Sequence, residues 1–151
     1  MLNSHYSDML RALSDAKVKF LLVGAYAMAA HGYTRGTSDI DIWVAPTPDN
    51  ADLVLQALEA FGAPLQGLTS ADLQDPKMVF QVGVAPLRID IMSGVTGLVF
   101  NDAYENSREA KINGFTVRIL SVADLIKNKL ATGREQDKAD AAVLRNVKPQ
   151  S

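Results

Sequence analysis

Two aspartates separated by a single residue are the feature of this sequence that most suggests chemistry. Asp39 and Asp41 lie in a segment, 39–44, whose polar and apolar residues alternate with the period of a β-strand. Both carboxylates therefore project from one face, where they repel each other unless a cation lies nearby. The pair predicts a site for a hard divalent cation such as Mg²⁺, which prefers oxygen ligands. A solvated strand face is the alternative, and it is the commoner origin of an isolated Asp-x-Asp.

A third carboxylate lies on a second alternating segment, Arg88-Ile89-Asp90-Ile91. Neighbouring strands are about 4.8 Å apart, so Asp90 joins Asp39 and Asp41 if the two segments pair. Three carboxylates on adjacent strands can hold two metal ions that align the attacking and leaving oxygens of an in-line phosphoryl or nucleotidyl displacement. The alternative is a salt bridge between Asp90 and Arg88 or a helix lysine.

A glycine marks the third element of the predicted site. The apolar run 19–23 predicts a buried strand that ends at Gly24, and the Ala-rich segment 25–31 predicts a short helix stopped by Gly32. A helix that starts after a glycine turn presents free backbone N–H groups, which suit a phosphate. A plain strand-to-helix turn is the alternative.

The remaining segments predict further helices and strands around this site. Residues 63–77 are loop-like, and Asn113-Gly114 is a strong hairpin signal. The predicted helices are 8–16, 49–61, 103–110, 121–131 and 134–146, and the predicted strands are 78–82, 87–92, 110–112 and 115–120. This order predicts a mixed α/β (α+β) fold with one sheet and a single domain over residues 1–151, with a core at about 5–120 and a C-terminal helix pair at about 121–146.

Composition limits the possible partners and locations. The 151 residues carry 15 Lys and Arg against 17 Asp and Glu, a formal net charge of -2 that argues against a broad nucleic-acid surface. The absence of cysteine excludes disulfides, zinc ribbons and thiol catalysis. The start of the chain lacks a secretory pattern, and the longest apolar run, 20–30, is shorter than the ~20 residues of a membrane span. We therefore expect a cytoplasmic protein without membrane contact.

Taken together, these motifs resemble the nucleotidyltransferase-fold superfamily, which includes polymerase β-like enzymes. They resemble most closely the small bacterial proteins related to AbiEii-type toxins, the group labelled DUF6036. The residues that carry the resemblance are Leu21–Ala25, His31-Gly32, Arg35, Thr37, Asp39-Ile40-Asp41, Asp90 and, towards the C-terminus, Lys129, Gly133, Arg134, Asp137 and Asp140.

The resemblance implies a central mixed sheet flanked by helices, with a helical C-terminus. It also implies Mg²⁺- or Mn²⁺-dependent transfer of a nucleoside monophosphate from an NTP, with release of pyrophosphate. In that scheme Asp39, Asp41 and Asp90 hold the metal ions, and Asp90 helps to deprotonate the acceptor hydroxyl. The nucleotide-binding residues would be Gly24, Ala25, Arg35, Thr37 and Lys129, although Ala25 stands where relatives often carry Gly or Ser and offers only its backbone N–H.

Two of these cations have alternative roles. Arg35 could clamp a phosphate with its planar fork, or it could pair with Asp39 or Asp41. Lys129 could reach the triphosphate, but an ion pair with a carboxylate such as Asp137 is favoured, because buried charges are usually paired.

The functional hypotheses belong to different classes. The first is an enzyme that transfers a nucleotide to a small molecule, a protein or an RNA end. The second is a non-catalytic nucleotide-binding module or a toxin–antitoxin-like partner protein of the same fold; the short chain favours it slightly, because many active relatives carry an extra helical domain. A third is a catalytically silent domain stabilised by a metal or by ion pairs.

Overall fold

In the computed structural model, residues 3–33, 39–84, 86–112 and 114–146 are described. These ranges contain helices and strands that alternate along most of the chain. The helices are α1 (Ser4–Asp15), α2 (Gly24–Ala30), α3 (Pro48–Phe61), α4 (Phe100–Asn106), α5 (Val122–Thr132) and α6 (Glu135–Leu144), with a short 3₁₀ helix at Asp72–Gln74. The strands are β1 (Phe20–Val23), β2 (Ile40–Val44), β3 (Val79–Val82), β4 (Ile89–Met92), β5 (Arg108–Ile112) and β6 (Phe115–Ile119).

The strands form one six-stranded sheet in the order β3-β4-β2-β1-β6-β5. β1 is antiparallel to β2 and parallel to β6, while β2 is parallel to β4. The two outer pairs, β3–β4 and β5–β6, are antiparallel. The sheet is therefore mixed, as the resemblance implies.

Helices cover both faces of the sheet. On one face, Ile40, Ile42, Ile89 and Ile91 pack with apolar residues of α1 and α3. On the other, Trp43 packs with apolar residues of α2, α4, α5 and α6. All four residues of β1 are buried, because this strand lies inside the sheet with helices on both faces. Alternate residues of β2 and β4 thus enter different cores.

Capping residues set the ends of the longer helices. The Thr47 hydroxyl accepts a hydrogen bond from the Asn50 N–H at the start of α3, and Ser121 accepts one from the Asp124 N–H at the start of α5. Gly62 ends α3 in the left-handed conformation. These caps agree with the sequence pattern. α1, by contrast, begins several residues before the predicted start, because the Asn3 side chain accepts a hydrogen bond from the Tyr6 N–H.

The helix predicted over 103–110 is wrong in its second half. α4 ends at Asn106, and Arg108–Ile112 forms β5 instead. Pairing with β6 outweighs a weak helix preference here, and Arg118 of β6 fixes the junction by donating to the Ser107 carbonyl at 3.0 Å. Gly114 has the positive φ expected of the hairpin turn, whereas Asn113 lies outside the described residues.

A buried ion-pair cluster joins α5 to α6. The Lys129 Nζ atom lies 3.2 Å from Asp137 Oδ1 and 3.3 Å from Asp140 Oδ2, and both aspartates are almost fully buried. Burial alone would raise the pKa of Asp137, but hydrogen bonds from Thr132, Arg134 and Lys129 outweigh it and lower that pKa to about 2. The ion-pair role predicted for Lys129 is therefore confirmed.

None of the helices in the described ranges combines the length and the apolar character that crossing a bilayer requires.

Replacing Lys129 with methionine is expected to lower the free energy of unfolding by about 3 kcal/mol, because two buried carboxylates lose their cation. Urea unfolding at pH 7 measures this change. The matched control is Lys138→Met, which removes an exposed lysine 3.5 Å from Glu135 and should change stability by less than about 0.5 kcal/mol. Equal effects of the two substitutions would contradict the structural role of the cluster.

Candidate active site

Three strands bring the predicted acidic residues to one edge of the sheet. β1 ends at this edge, whereas β2 and β4 begin there. The parallel register of β2 and β4 places Asp41 opposite Asp90, and the antiparallel register of β1 places Val23 opposite Asp41. The expectation that the two aspartate-bearing strands are neighbours is confirmed. Asp41 and Asp90 therefore project from the same face of the sheet.

The two facing carboxyl groups interact strongly. Asp90 is buried and Asp41 is partly buried. The pKa of Asp41 is raised to about 6, first by burial and then by the negative charges of Asp90 and Asp39, while Arg88 acts in the opposite direction. A hydrogen bond between the Asp41 and Asp90 carboxyl groups adds to the increase. Burial and the neighbouring negative charges together outweigh Arg88, so near neutral pH Asp41 binds a proton more readily than an ordinary aspartate does.

Arg88 brings positive charge to the acidic residues. Its Nη2 atom donates to Asp39 Oδ2 at 2.7 Å and to Asp90 Oδ2 at 3.3 Å. Its Nε atom lies 3.1 Å from Asp90 Oδ1, an ion pair whose angles do not make a hydrogen bond. Among the described residues, this buried oxygen has no hydrogen-bond donor. The guanidinium thus connects the residue before β2 with the second residue of β4.

Gly24 gives the Asp41 carboxylate the space it occupies. This glycine follows β1, begins α2 and has a φ of +66°. A Cβ atom at this position would lie 2.3 Å from Asp41 Oδ2 and 3.2 Å from Asp41 Cγ. Both the backbone conformation and the close approach therefore require glycine. A plain strand-to-helix turn, the alternative that the sequence left open, does not by itself explain this contact between Gly24 and Asp41.

Tyr6 of α1 supports the site from its margin. Its hydroxyl donates to the carbonyl oxygens of Arg88, at 3.1 Å, and Pro86, at 3.3 Å. The pKa of Tyr6 is raised to about 12, mainly by burial and then by the charge of nearby groups that include all three aspartates. Tyr6 therefore holds the start of β4 close to the acidic cluster.

The other predicted nucleotide-binding residues divide into separate groups. Ala25 follows Gly24 in α2, next to the acidic residues. Lys129 has its ammonium group engaged by the buried carboxylates of α6. Arg35 and Thr37 lie outside the described residues.

Sequence reasoning did not assign Arg88 and Tyr6 to the site. The spacing Arg88-x-Asp90 is a usable signal, because residues two apart on a strand share a face. It predicts the Arg88–Asp90 contact, which we considered as the alternative to a metal site, but not the contact with Asp39. No sequence pattern connects Tyr6 to residues some eighty positions later.

The chemistry of the site suits a hard divalent cation. Its side-chain ligands are carboxylate oxygens, and one buried oxygen of Asp90 accepts no hydrogen bond from the described residues. Burial and the charges of Asp90 and Asp39 raise the pKa of Asp41 despite the presence of Arg88. Within the described ranges, no three Asp, Glu or His side chains are already arranged around a common metal position. Arg88 draws Asp39 towards itself, so a metal ion would require this side chain to move.

The sheet order, the flanking helices and the acidic edge define a protein of the nucleotidyltransferase fold. A family model described as "Nucleotidyl transferase of unknown function (DUF2204)" matches residues 3–150. The chain therefore belongs to this family. No curated protein sequence matches the chain significantly. The closer likeness to AbiEii-type proteins and DUF6036 stays a prediction.

Solved structures of similar fold include an antibiotic adenylyltransferase, a protein described as a nucleotidyltransferase and an antibiotic-resistance factor. The lincosamide antibiotic adenylyltransferase LnuA, solved with lincomycin, has a TM-score of 0.60 and 15% identity, with 98% of this chain and 99% of that chain covered. TM1012 of Thermotoga maritima, described as a nucleotidyltransferase, has a TM-score of 0.58 and 17% identity, covering 96% and 93%. The antibiotic-resistance factor ANT(2'')-Ia has a TM-score of 0.58 and 14% identity, covering 93% and 80%. These similarities establish the shared fold.

Replacing Gly24 with alanine is expected to displace the Asp41 side chain and to destabilise the protein more than Gly62→Ala does. Gly62 is the matched control, because it has a similar positive φ of 91° but nothing within 4 Å of its added Cβ. Backbone strain should cost both variants about 1 kcal/mol, with a further loss at Gly24 from the contact with Asp41. Urea unfolding measures both, and equal losses would exclude a close Gly24–Asp41 approach.

Replacing Asp41 with asparagine is expected to increase stability at neutral pH when metal is absent. The pKa of Asp41 is about 6 in the folded protein against an ordinary 3.8, so the stability this group contributes is present below about pH 4 and is lost as pH rises through 6. The variant should exceed the wild type by about 1–2 kcal/mol at pH 7.5, with the difference shrinking towards pH 4.5. Urea unfolding in EDTA measures this, with exposed Asp52→Asn as the control; a difference independent of pH would contradict the raised pKa.

Proposed function

We propose that this protein is a metal-dependent nucleotidyltransferase. It moves a nucleoside monophosphate from an NTP to the hydroxyl group of an acceptor and releases pyrophosphate. The observation that carries the proposal is the in-register pairing of Asp41 with Asp90 on parallel strands, which concentrates negative charge at one sheet edge. Membership of the nucleotidyl transferase family supports the same reaction class.

The roles of the acidic residues follow from their surroundings. Asp39, Asp41 and Asp90 would hold one or two Mg²⁺ or Mn²⁺ ions, which supply positive charge to the polyphosphate when bound. Asp90 is buried, and none of the residues that the structure describes donates a hydrogen bond to one of its carboxylate oxygens. We assign to it the removal of the acceptor proton, because a base must lie within hydrogen-bonding distance of the hydroxyl it activates.

The nucleotide would enter over the turn between β1 and α2. Gly24 has no side chain, so the Asp41 carboxylate lies directly against this turn, beside the proposed path of the nucleotide. Ala25 contributes its backbone N–H. Arg35 and Thr37, in the segment that connects α2 with Asp39, complete the proposed nucleotide-binding residues. Lys129 is not part of this proposal, because two buried carboxylates already engage it.

Three classes of acceptor are compatible with the proposed reaction. LnuA and ANT(2'')-Ia are associated with antibiotics, which makes a small hydroxylated molecule one candidate. A protein or an RNA end is equally compatible with the acidic edge. The formal charge of -2 gives no support to a broad nucleic-acid surface, so an RNA acceptor would be held locally at its end.

One observation favours a second candidate function, a nucleotide-binding module or toxin–antitoxin-like partner without turnover. Arg88 already neutralises part of the charge on Asp39 and Asp90, as a permanent ion pair in a silent site would. The two functions differ in a single measurable step, which is pyrophosphate release.

The test is a screen of the four α-³²P-labelled NTPs with Mg²⁺ or Mn²⁺, a cell extract as the source of acceptors, and the purified protein. We expect one NTP to label an extract component with pyrophosphate release, and Asp41→Asn to reduce labelling by about 10²-fold or more. The exposed Asp52→Asn variant is the control and should label as the wild type does. Metal-dependent NTP binding without transfer would favour the binding module. Absence of both binding and transfer by the folded protein would overturn the proposed function.

A further inference from the structure

The acidic cluster already contains a cation, and that cation belongs to the chain itself. Arg88 immediately precedes β4. Its guanidinium contacts Asp90, the second residue of β4, and Asp39, the residue that precedes the neighbouring strand β2. The closest approach, 2.7 Å between Nη2 and Asp39 Oδ2, is that of a strong charge-assisted hydrogen bond. The guanidinium thus already engages two of the three carboxylates that would hold a metal ion.

A change of pH cannot remove this cation. Arginine stays protonated throughout the range in which proteins are folded, so its positive charge leaves the carboxylates only if the side chain moves. A divalent cation bound by the same carboxylates would repel the guanidinium, because both are positive and would lie within a few ångströms of each other. Metal and Arg88 are therefore alternatives for Asp39 and Asp90.

The surroundings of Arg88 allow its side chain to move while its backbone stays fixed. The side chain is 34% exposed, so the guanidinium has a path to solvent. The carbonyl oxygen of Arg88 accepts hydrogen bonds from the Tyr6 hydroxyl and, at 3.2 Å, from the Ile40 N–H of β2. These bonds hold the start of β4 in place. The exchange thus needs side-chain rotation alone, and the strand that carries Asp90 keeps its register.

We propose that Arg88 is the resident counter-ion of this site: it holds Asp39 and Asp90 in position while no metal is bound, and a divalent cation displaces it. This inference rests on the metal site of the proposed function and adds to it a competition within the chain. Arg88 is a positioning residue, since it acts on the acidic residues. Without metal, Arg88 holds the two carboxylates close together through its ion pairs. Because these ion pairs must break when metal binds, Arg88 also lowers the apparent affinity for metal.

Metal binding without nucleotide tests the inference. Mn²⁺ affinity is measured by calorimetry, and thermal unfolding is followed in EDTA and in Mn²⁺, for the wild type, Arg88→Gln and Arg88→Lys. We expect Arg88→Gln to bind Mn²⁺ about tenfold more tightly than the wild type, yet to unfold at a lower temperature in EDTA. Arg88→Lys should lie between them, because a lysine keeps the charge but cannot fork between two carboxylates.

Arg118→Gln is the matched control. Arg118 has a similarly exposed side chain and an ion pair, 3.2 Å to Glu109, but it lies on β6 away from the acidic cluster. Its replacement should leave Mn²⁺ affinity unchanged. Equal or weaker Mn²⁺ binding by Arg88→Gln overturns the inference alone, whereas failure of every protein to bind Mn²⁺ overturns it together with the metal site. Neither the Mn²⁺ affinities nor the unfolding temperatures depend on transfer activity. The displacement of Arg88 and the proposed nucleotidyl transfer can therefore be contradicted independently.

A measurement on the wild type covers the case in which the Arg88 variants do not fold. The ¹⁵N–¹H signal of the Arg88 side chain reports its contact with Asp39 and Asp90. Titration with diamagnetic Mg²⁺ should shift this signal and accelerate its exchange with water, while the Arg118 signal stays constant. An Arg88 signal that Mg²⁺ leaves unchanged, in protein shown by calorimetry to bind Mg²⁺, contradicts displacement.

Discussion

The placement of two carboxyl groups side by side is the constraint on which the rest of the site depends. Parallel pairing of β2 with β4 sets Asp41 directly opposite Asp90, where the two negative charges oppose folding. The raised pKa of Asp41, the contact of Arg88 with Asp39 and the absence of a side chain at Gly24 each accommodate this arrangement. The cost to stability is concentrated in a few residues at one sheet edge, as is usual for sites whose charge is balanced by a ligand.

The apolar neighbours of the two aspartates explain why the chain cannot relieve this repulsion by shifting a strand. Ile40 and Ile42 flank Asp41, Ile89 and Ile91 flank Asp90, and all four isoleucines are fully buried. A shift of either strand by one residue would turn its isoleucines away from the core formed with α1 and α3 and would turn its aspartate into that core. Burial of these isoleucines contributes several kcal/mol and therefore fixes the register of β2 and β4. The same register keeps Asp41 and Asp90 opposite each other.

Sequence patterns predicted this part of the fold well, because the required information is local. Alternation gave the faces of Asp41 and Asp90, and the apolar run before Gly24 gave the strand and the turn. The lateral contacts were less accessible: Arg88 reaches Asp39 only because β2 and β4 are neighbours, and Tyr6 reaches Arg88 from the other end of the chain. Periodicity describes one element at a time, which also explains why Arg108–Ile112 was predicted in part as helix although pairing with β6 makes it a strand.

The acidic cluster of the C-terminal helices, which has a structural role, and the acidic cluster at the sheet edge, for which a functional role is proposed, differ in charge balance. In the C-terminal helices, Lys129 and hydrogen bonds from its neighbours satisfy Asp137, and the pKa of that group falls to about 2. At the sheet edge, Arg88 contacts Asp39 and Asp90, yet the pKa of Asp41 rises to about 6. Both clusters contain aspartates and a cation at ion-pair distance, so residue type does not distinguish them. Their contacts do: hydrogen bonds and Lys129 outweigh burial at Asp137, whereas burial and the neighbouring carboxylates outweigh Arg88 at Asp41. An added cation would therefore stabilise the sheet-edge cluster more than the helical one.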